Sequence, residues 1–184
     1  MGARGYAPAK NSIPTRILSI TPFAPYPDEF YTQGVRLRVC DLRLAHQPRL
    51  AGIKHLNRLE NVLAAAEWDD AGIAEGLLLD VADNVTEGTR SNLFMLRDGE
   101  LQTPDLSRCG VAGVQRERVI EWASAQGMPC RIGQFGLAEL LAADEIFLVN
   151  SVIGLWPGRE LQGHTWNHHP VARQIQEWLN HAAD

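Results

Sequence analysis

The sequence predicts a single α/β (α+β) domain with a predominantly β core and peripheral helices. Its 184 residues suit one domain and can bury a substantial hydrophobic core. An apolar run at Glu145–Ser151 and an alternating run at Val35–Leu44 are typical of strands. Apolar residues recur at helical spacing after Leu56, Val114 and Pro170, which indicates helices around that core.

The first third of the chain predicts two strands and a helix. Arg16–Thr21 is predicted as a short strand that a proline cluster ends. Val35–Leu44 is predicted as a half-buried strand, with a bulge near Cys40 where the alternation slips by one residue. A loop through Gln47–Arg49 then leads into an amphipathic helix over about Leu56–Trp68.

The remaining elements follow from the same signals. Asp98-Gly99 predicts a tight hairpin after a strand, and Gly127 is well placed to end a helix that begins near Val114. Pro170 suits the first position of the last helix. The predicted strands are Gly76–Val81, Asn92–Leu96 and Glu145–Ser151, and the further helices are Leu137–Ala142 and Val171–Ala182.

Composition excludes several classes of function. The net charge is -5 and there is no basic run, so electrostatics give no support for nucleic-acid binding. The apolar runs are shorter than the roughly 20 residues that cross a membrane, and the first residues do not resemble a signal peptide. The isolated Cys40, Cys109 and Cys130 indicate neither disulfides nor a thiolate metal site. We therefore expect a cytoplasmic protein.

Lys54 is the strongest candidate for chemistry. Lys10 and Lys54 are the only lysines, and Lys54 lies where the predicted helix begins. A desolvated, neutral lysine amine is a nucleophile that can form a Schiff base. The helix dipole and an apolar setting beside Ile53 are both expected to disfavour its charged form. The alternative interpretation is an ordinary surface lysine.

Three further segments carry candidate site residues. Glu87 follows a strand through Asn84–Thr86, where a carboxylate can pair with a pyridine nitrogen, although a solvent-exposed turn glutamate is the alternative. Gly110 and Gly113 precede a predicted helix whose first N–H groups can bind phosphate. Asn150-Ser151 ends an apolar strand, which is as typical of an ordinary turn as of a site.

A histidine-rich segment, His164–His169, is the candidate for a metal site. It has no cysteine or acidic partner at ligand spacing, and it falls in a predicted loop. The sequence therefore predicts no metal site.

Several motifs together resemble the fold type IV pyridoxal phosphate enzymes, which include branched-chain and D-amino acid aminotransferases and aminodeoxychorismate lyases. The motifs are Leu50–Glu60, Val85–Glu87, Ser91–Phe94 and Gly110–Gly113. Within the family, Leu50–Glu60 is most similar to the lyases, as are Arg4–Tyr6 and Thr15–Ser19. The resemblance runs from about Gly2 to the C-terminus and implies the family's large domain, a β-rich pseudo-barrel.

The resemblance also implies a role for each matching residue. Lys54 would form the aldimine with pyridoxal 5'-phosphate, and Glu87 would pair with the pyridine nitrogen. The phosphate would be held by the backbone N–H groups of Val114 and Gln115 and by Ser151. The substrate would contact two residues, Arg4 and Asn150.

The implied reaction converts 4-amino-4-deoxychorismate to 4-aminobenzoate and pyruvate, with Lys54 as the base and no metal. The alternatives are a D-amino acid or branched-chain aminotransferase and, in another class, a non-catalytic fragment that acts only in assembly. The family implies a homodimer and a small N-terminal domain that this sequence does not match. We therefore expect residues 1–14 to be a linker remnant, residues 15–184 to be the cofactor-binding domain, and activity to be impaired.

Overall fold

A computed structural model describes residues 13–181, together with Tyr6 and Asn11. In this part of the chain the helices are α1 Asp28–Thr32, α2 Leu59–Ala65, α3 Val114–Ala125, α4 Leu137–Leu141 and α5 Pro170–His181. The strands are β1 Val35–Leu44, β2 Ile73–Asp80, β3 Val85–Gly88, β4 Asn92–Arg97, β5 Glu100–Pro104, β6 Cys130–Gly133, β7 Glu145–Asn150, β8 Gly154–Leu161 and β9 His164–Thr165. Among the described helices, none combines the length and the apolar character needed to cross a membrane.

The strands form one curled sheet, a half-barrel with helices at its periphery, which confirms the predicted fold class. The strand order is β3-β2-β1-β8-β7-β4-β5-β6, and β9 pairs with β8. Strand β1 is parallel to both β2 and β8, whereas the β4–β5, β4–β7 and β7–β8 pairs are antiparallel. The sheet is therefore mixed.

Strands β4 and β7 are buried on both faces. Leu93 and Ile146 belong to the hydrophobic cluster inside the curl, whereas Phe94 and Phe147 belong to a second cluster formed with α3 and α5. Phe94 and Phe147 pair in register and stack, with ring centroids 5.2 Å apart. Because apolar side chains are needed on both faces, β7 has a continuous apolar sequence without alternation.

Several local predictions are confirmed. Asp98 and Gly99 have φ of 51° and 79°, as a two-residue hairpin turn between β4 and β5 requires. Gly127 has φ of 67° and follows α3, where the N–H of Met128 donates to the carbonyl of Ala123 at 2.9 Å. Strand β1 loses its register with β2 between Val39 and Arg43, at the predicted bulge.

The predicted strand at Arg16–Thr21 is wrong. The segment has no regular secondary structure, and Ile17, Leu18 and Ile20 are 88%, 90% and 99% exposed. An extended segment becomes a strand only when a neighbour accepts its backbone hydrogen bonds, and no described strand pairs with this one. Its apolar pattern therefore indicates surface that the described residues leave uncovered.

The predicted helix at Leu56–Trp68 is shorter than expected. Helix α2 spans only Leu59–Ala65, and Ala64 is its buried residue. Leu59, Val62 and Leu63 are 65%, 62% and 54% exposed, so the apolar face found in the sequence does not contact the core. Periodicity identifies an apolar face but does not identify what covers it.

Sequence patterns missed β8, which contains Gly154, Pro157 and Gly158. Proline cannot donate a hydrogen bond to a strand ladder, so this composition argues against a strand. Pro157 nevertheless pairs with Phe147, and the neighbouring Trp156 is fully buried in the core. Burial of the tryptophan and the ladders on both sides of β8 outweigh the local preference.

Candidate active site

The carboxyl group of Glu87 is buried at the centre of the candidate site. Glu87 lies on β3 opposite Leu78 of β2 and is 3% exposed. Its Oε2 accepts a hydrogen bond from the N–H of Val111 at 2.8 Å, whereas its buried Oε1 has no partner among the described residues. Burial raises the pKa of Glu87 to about 7, against the lowering effects of the Val111 N–H, the charges of Arg58 and Lys54, and the neighbouring Asn61 side chain.

Of the other buried polar atoms that lack a partner within the described structure, two belong to side chains beside Glu87. Arg58 donates from Nη2 to the carbonyl of Ile53 at 2.6 Å, but its Nε is unpaired. Asn61 donates from Nδ2 to the carbonyl of Thr89 at 3.0 Å, but its Oδ1 is unpaired. Buried polar atoms are normally satisfied, so three unsatisfied atoms together indicate a site for a polar ligand.

Lys54 approaches this site from the segment before α2. Gly52 donates to the carbonyl of Gly110 at 3.0 Å and accepts from the N–H of Ala112 at 3.1 Å, which fixes the chain two residues before Lys54. The Lys54 ammonium is close enough to Glu87 to lower the pKa of its carboxyl group. The two predicted site residues therefore lie in one place.

The local environment predicted for Lys54 is wrong. Helix α2 begins at Leu59, five residues later, so Lys54 is not at a helix N-terminus. The side chains of Lys54 and Ile53 are both exposed. Neither a helix dipole nor an apolar setting acts on the Lys54 amine in this chain.

Helix α3 presents its N-terminus beside the Glu87 contact. Its N-cap, Gly113, is extended and provides no side-chain cap. The backbone N–H groups of Val114 and Gln115 accordingly have no partner in the described structure. The side chain of Asn92 fixes this end of the helix, since its Nδ2 donates to the carbonyl of Val111 at 2.7 Å and its Oδ1 accepts from the N–H of Gly113 at 3.1 Å. Free N–H groups at such a position suit an anion.

Asn150 ends β7 and Ser151 follows it, next to this clamp, because Val149 pairs with Asn92. Asn150 is engaged within the protein: its Oδ1 accepts from the N–H groups of Val152 and Ile153 at 2.8 Å each, and its Nδ2 donates to the carbonyl of Arg90 at 3.0 Å. Ser151 is exposed. The predicted contacts of Asn150 with substrate and of Ser151 with phosphate stay predictions, as does that of Arg4, which lies outside the described residues.

A cleft of about 320 Å³ lies on the Lys54 side of the site, and its lining includes His55, Arg58, Cys109 and Gly110. A larger groove, about 640 Å³, lies between α5 and the turn before β8. Neither cavity is lined by a predicted site residue within the described part of the chain. The smaller cleft is the one next to the site, because Arg58 lines it and acts on the Glu87 carboxyl group.

The sequence did not identify Arg58, Asn61 or Asn92 as members of the site. Arg58 and Asn61 lie within or beside the Leu50–Glu60 motif, which was the available signal for them. Asn92 lies within the Ser91–Phe94 motif, but its role, which is to join β4 to α3 across 19 and 21 residues of sequence, is visible only in the tertiary structure.

Substitution of Gly113 tests the Asn92 clamp. A Cβ at Gly113 would overlap Oδ1 of Asn92, whereas a Cβ at Gly136, the extended N-cap of α4, meets nothing within 4 Å. We expect Gly113→Ala to lower the free energy of unfolding by about 1–3 kcal/mol more than Gly136→Ala, as measured by urea denaturation. Both variants share the penalty of alanine at an N-cap. Equal losses would contradict the clamp.

The curled half-barrel, with a lysine, a buried carboxyl group and an uncapped helix N-terminus at one place, defines an aminotransferase-like enzyme domain. A family model described as amino-transferase class IV matches residues 1–161. The chain belongs to this family, whose members generally use pyridoxal phosphate.

Known relatives include both lyases and aminotransferases. The chain is 41% identical over 156 residues to an aminodeoxychorismate lyase of Vibrio harveyi, covering 85% of this chain and 58% of the relative. In the crystal structure of 4-amino-4-deoxychorismate lyase from Pseudomonas aeruginosa, the matching sequence is 53% identical and the TM-score is 0.94. The match covers 98% of this chain and 67% of the lyase chain. The crystal structure of a branched-chain aminotransferase from Thermoproteus uzoniensis is 30% identical in sequence, with a TM-score of 0.77. That match covers 85% of this chain and 54% of the aminotransferase chain. The chain thus spans about 58% of the length of its Vibrio relative.

Proposed function

We propose that this chain forms the cofactor-binding part of a pyridoxal phosphate-dependent lyase that converts 4-amino-4-deoxychorismate to 4-aminobenzoate and pyruvate. The observation that carries the cofactor assignment is the unpaired Oε1 of buried Glu87 within electrostatic reach of Lys54. The substrate assignment is supported by the higher identity to the lyases, 41% and 53%, than to the aminotransferase, 30%.

The described residues fit pyridoxal phosphate. The unpaired Oε1 of Glu87 suits the ring N–H, since it is a buried acceptor without a donor. The uncapped N–H groups of Val114 and Gln115 suit the phosphate, and the exposed Ser151 would add a hydroxyl group. When bound, the cofactor supplies an electron sink for a substrate carbon that bears nitrogen.

Glu87 would sustain this sink by remaining ionised next to the ring N–H. With Oε1 unpaired, the pKa of Glu87 is about 7, so near neutral pH it is distributed between both forms. A donor with positive charge at Oε1 favours the carboxylate, because it compensates the cost of burial. Binding of the ring would therefore convert a weakly ionised carboxyl group into a stable carboxylate.

Lys54 would both attach the cofactor and act as the base. Its neutral amine would take the proton from the substrate ring carbon that bears the amino group. The C–O bond to the enolpyruvyl group then breaks and the ring becomes aromatic. The released enolpyruvate takes up a proton and becomes pyruvate, so no water or metal is consumed. Arg4 and Asn150 are proposed to contact the substrate.

We place the linker at residues 1–14 and the cofactor-binding domain at residues 15–184. We also propose that the protein is a homodimer and that it is cytoplasmic. The support for assembly is the exposed apolar face of α2, formed by Leu59, Val62 and Leu63. Exposed apolar surface of this kind marks contact sites in soluble proteins.

A product assay tests the proposed reaction. The chain, loaded with pyridoxal phosphate, is expected to release pyruvate and 4-aminobenzoate in equal amounts from 4-amino-4-deoxychorismate. It should not transfer the amino group of D-alanine or of a branched-chain amino acid to an oxo acid. Amino transfer without pyruvate release would instead establish an aminotransferase. If a folded, cofactor-loaded chain catalyses neither reaction, that result would favour the non-catalytic assembly role.

A further inference from the structure

The structure brings together three residues that are far apart in the sequence: His46, Asp80 and Cys109. Nε2 of His46 lies 2.9 Å from Oδ2 of Asp80, and all three potential ligand atoms, including Sγ of Cys109, lie within 4.8 Å of one another. Asp80 and Cys109 are 4% and 8% exposed, and His46 is partly buried. Imidazole, carboxylate and thiolate are the ligand types of protein-bound zinc.

Backbone hydrogen bonds hold the three segments in place. Next to both His46 and Cys109, the N–H of Gln47 donates to the carbonyl of Arg108 at 2.8 Å. Asp80 is the register partner of Leu44, two residues before His46. The arrangement is thus fixed by the ladder and by loop contacts, and it does not require the side chains to hold it together.

Asp80 is oriented for this role. Its Oδ1 accepts hydrogen bonds from the backbone N–H groups of Ala82 and Asn84, each at 2.9 Å. Nδ2 of Asn84 is shared between Oδ1 at 3.3 Å and Oδ2 at 3.2 Å. These contacts direct Oδ2 toward His46. Such outer hydrogen bonds orient the first ligands of metal sites and strengthen their affinity.

The electrostatic surroundings favour a cation. The carboxyl groups of Asp80, Glu87 and Glu60 all lie within electrostatic reach of the Cys109 thiol. A divalent cation at this place would neutralise that excess of negative charge.

We propose that His46, Asp80 and Cys109 bind a first-row divalent transition metal, with zinc preferred over magnesium and calcium because the thiolate is a soft ligand. Tetrahedral zinc separates its ligand atoms by roughly 3.3–3.8 Å, so side-chain movements of about 1 Å or less close the site. Cys109 loses its proton to solvent, and the proton of His46 resides on Nδ1. Cys109 lines the 320 Å³ cleft, which leaves a fourth position for water or a ligand.

Cobalt(II) and zinc titrations of the 184-residue chain, free of cofactor, test the site and do not depend on the proposed lyase activity. The wild type is expected to show a thiolate-to-cobalt charge-transfer band that zinc displaces. Cys109→Ser should abolish the band, whereas Cys130→Ser should retain it, since Cys130 lies on β6.

The histidine ligand has its own matched pair. Zinc affinity is measured by competition with a chromophoric chelator. His46→Gln should weaken it by at least about tenfold, whereas His164→Gln on exposed β9 should leave it unchanged. Circular dichroism and urea denaturation of each variant verify folding. Absence of the band in the folded wild type, or unchanged zinc affinity in both Cys109→Ser and His46→Gln, would overturn the proposal.

Discussion

Replacement of Lys54 by alanine is expected to eliminate pyruvate release and the covalent attachment of pyridoxal phosphate. The proposed reaction uses Lys54 twice, as the attachment point and as the base. Loss of a general base alone costs about 10²–10⁴ in rate, and we expect a decrease of at least about a thousandfold. Borohydride reduction followed by peptide mass spectrometry measures the attachment, which should appear on the peptide that contains Lys54.

The sequence offers one matched control, because Lys10 is its only other lysine. Lys10→Ala should keep both the adduct and the activity. Lys54→Arg, which retains the positive charge beside Glu87, should be as inactive as Lys54→Ala because arginine stays protonated. An undiminished adduct in Lys54→Ala would show that the cofactor attaches elsewhere and would refute the assignment.

Replacement of Glu87 by glutamine is expected to remove a pH dependence of stability. Its folded-state pKa is raised from 4.5 to about 7, so the native chain binds a proton that the unfolded chain has lost. Stability therefore falls as pH rises from about 4.5 to 7, by about 3 kcal/mol in total for this group. Urea denaturation of the cofactor-free chain at pH 5 and pH 8 measures the slope, which Glu87→Gln should lack.

The same variant tests the role of Glu87 in the reaction. Glutamine cannot hold the ring nitrogen protonated, so we expect the Lys54 adduct to persist and pyruvate release to slow by roughly 10²-fold. Glu145 is a matched control, since it is also buried but accepts from the N–H groups of Val171 and Ala172 at the start of α5. Glu145→Gln should alter stability and leave the rate unchanged. Equal rates in Glu87→Gln and wild type would exclude the role as electron-sink partner.

Local sequence signals predicted those elements whose causes are local. The hairpin at Asp98-Gly99 follows from two residues that adopt positive φ, and the end of α3 follows from Gly127. The apolar strand β7 was recognisable because both of its faces are buried. By contrast, the apolar patterns at Arg16–Thr21 and Leu59–Leu63 did not predict strand pairing or burial. Pairing and burial depend on other segments that cover the apolar residues, and a local pattern carries no information about those segments.

The sequence by itself determined the fold class, the family motifs and the candidate residues Lys54 and Glu87. The tertiary structure alone decided how they meet. Glu87 is buried on β3, the Val111 N–H donates to one of its carboxyl oxygens, and the charge of Lys54 lowers the pKa of that carboxyl group. It also decided that His46, Asp80 and Cys109 converge. The physical reason is that burial and proximity depend on contacts between residues distant in sequence, whereas turn geometry and periodicity are properties of neighbouring residues.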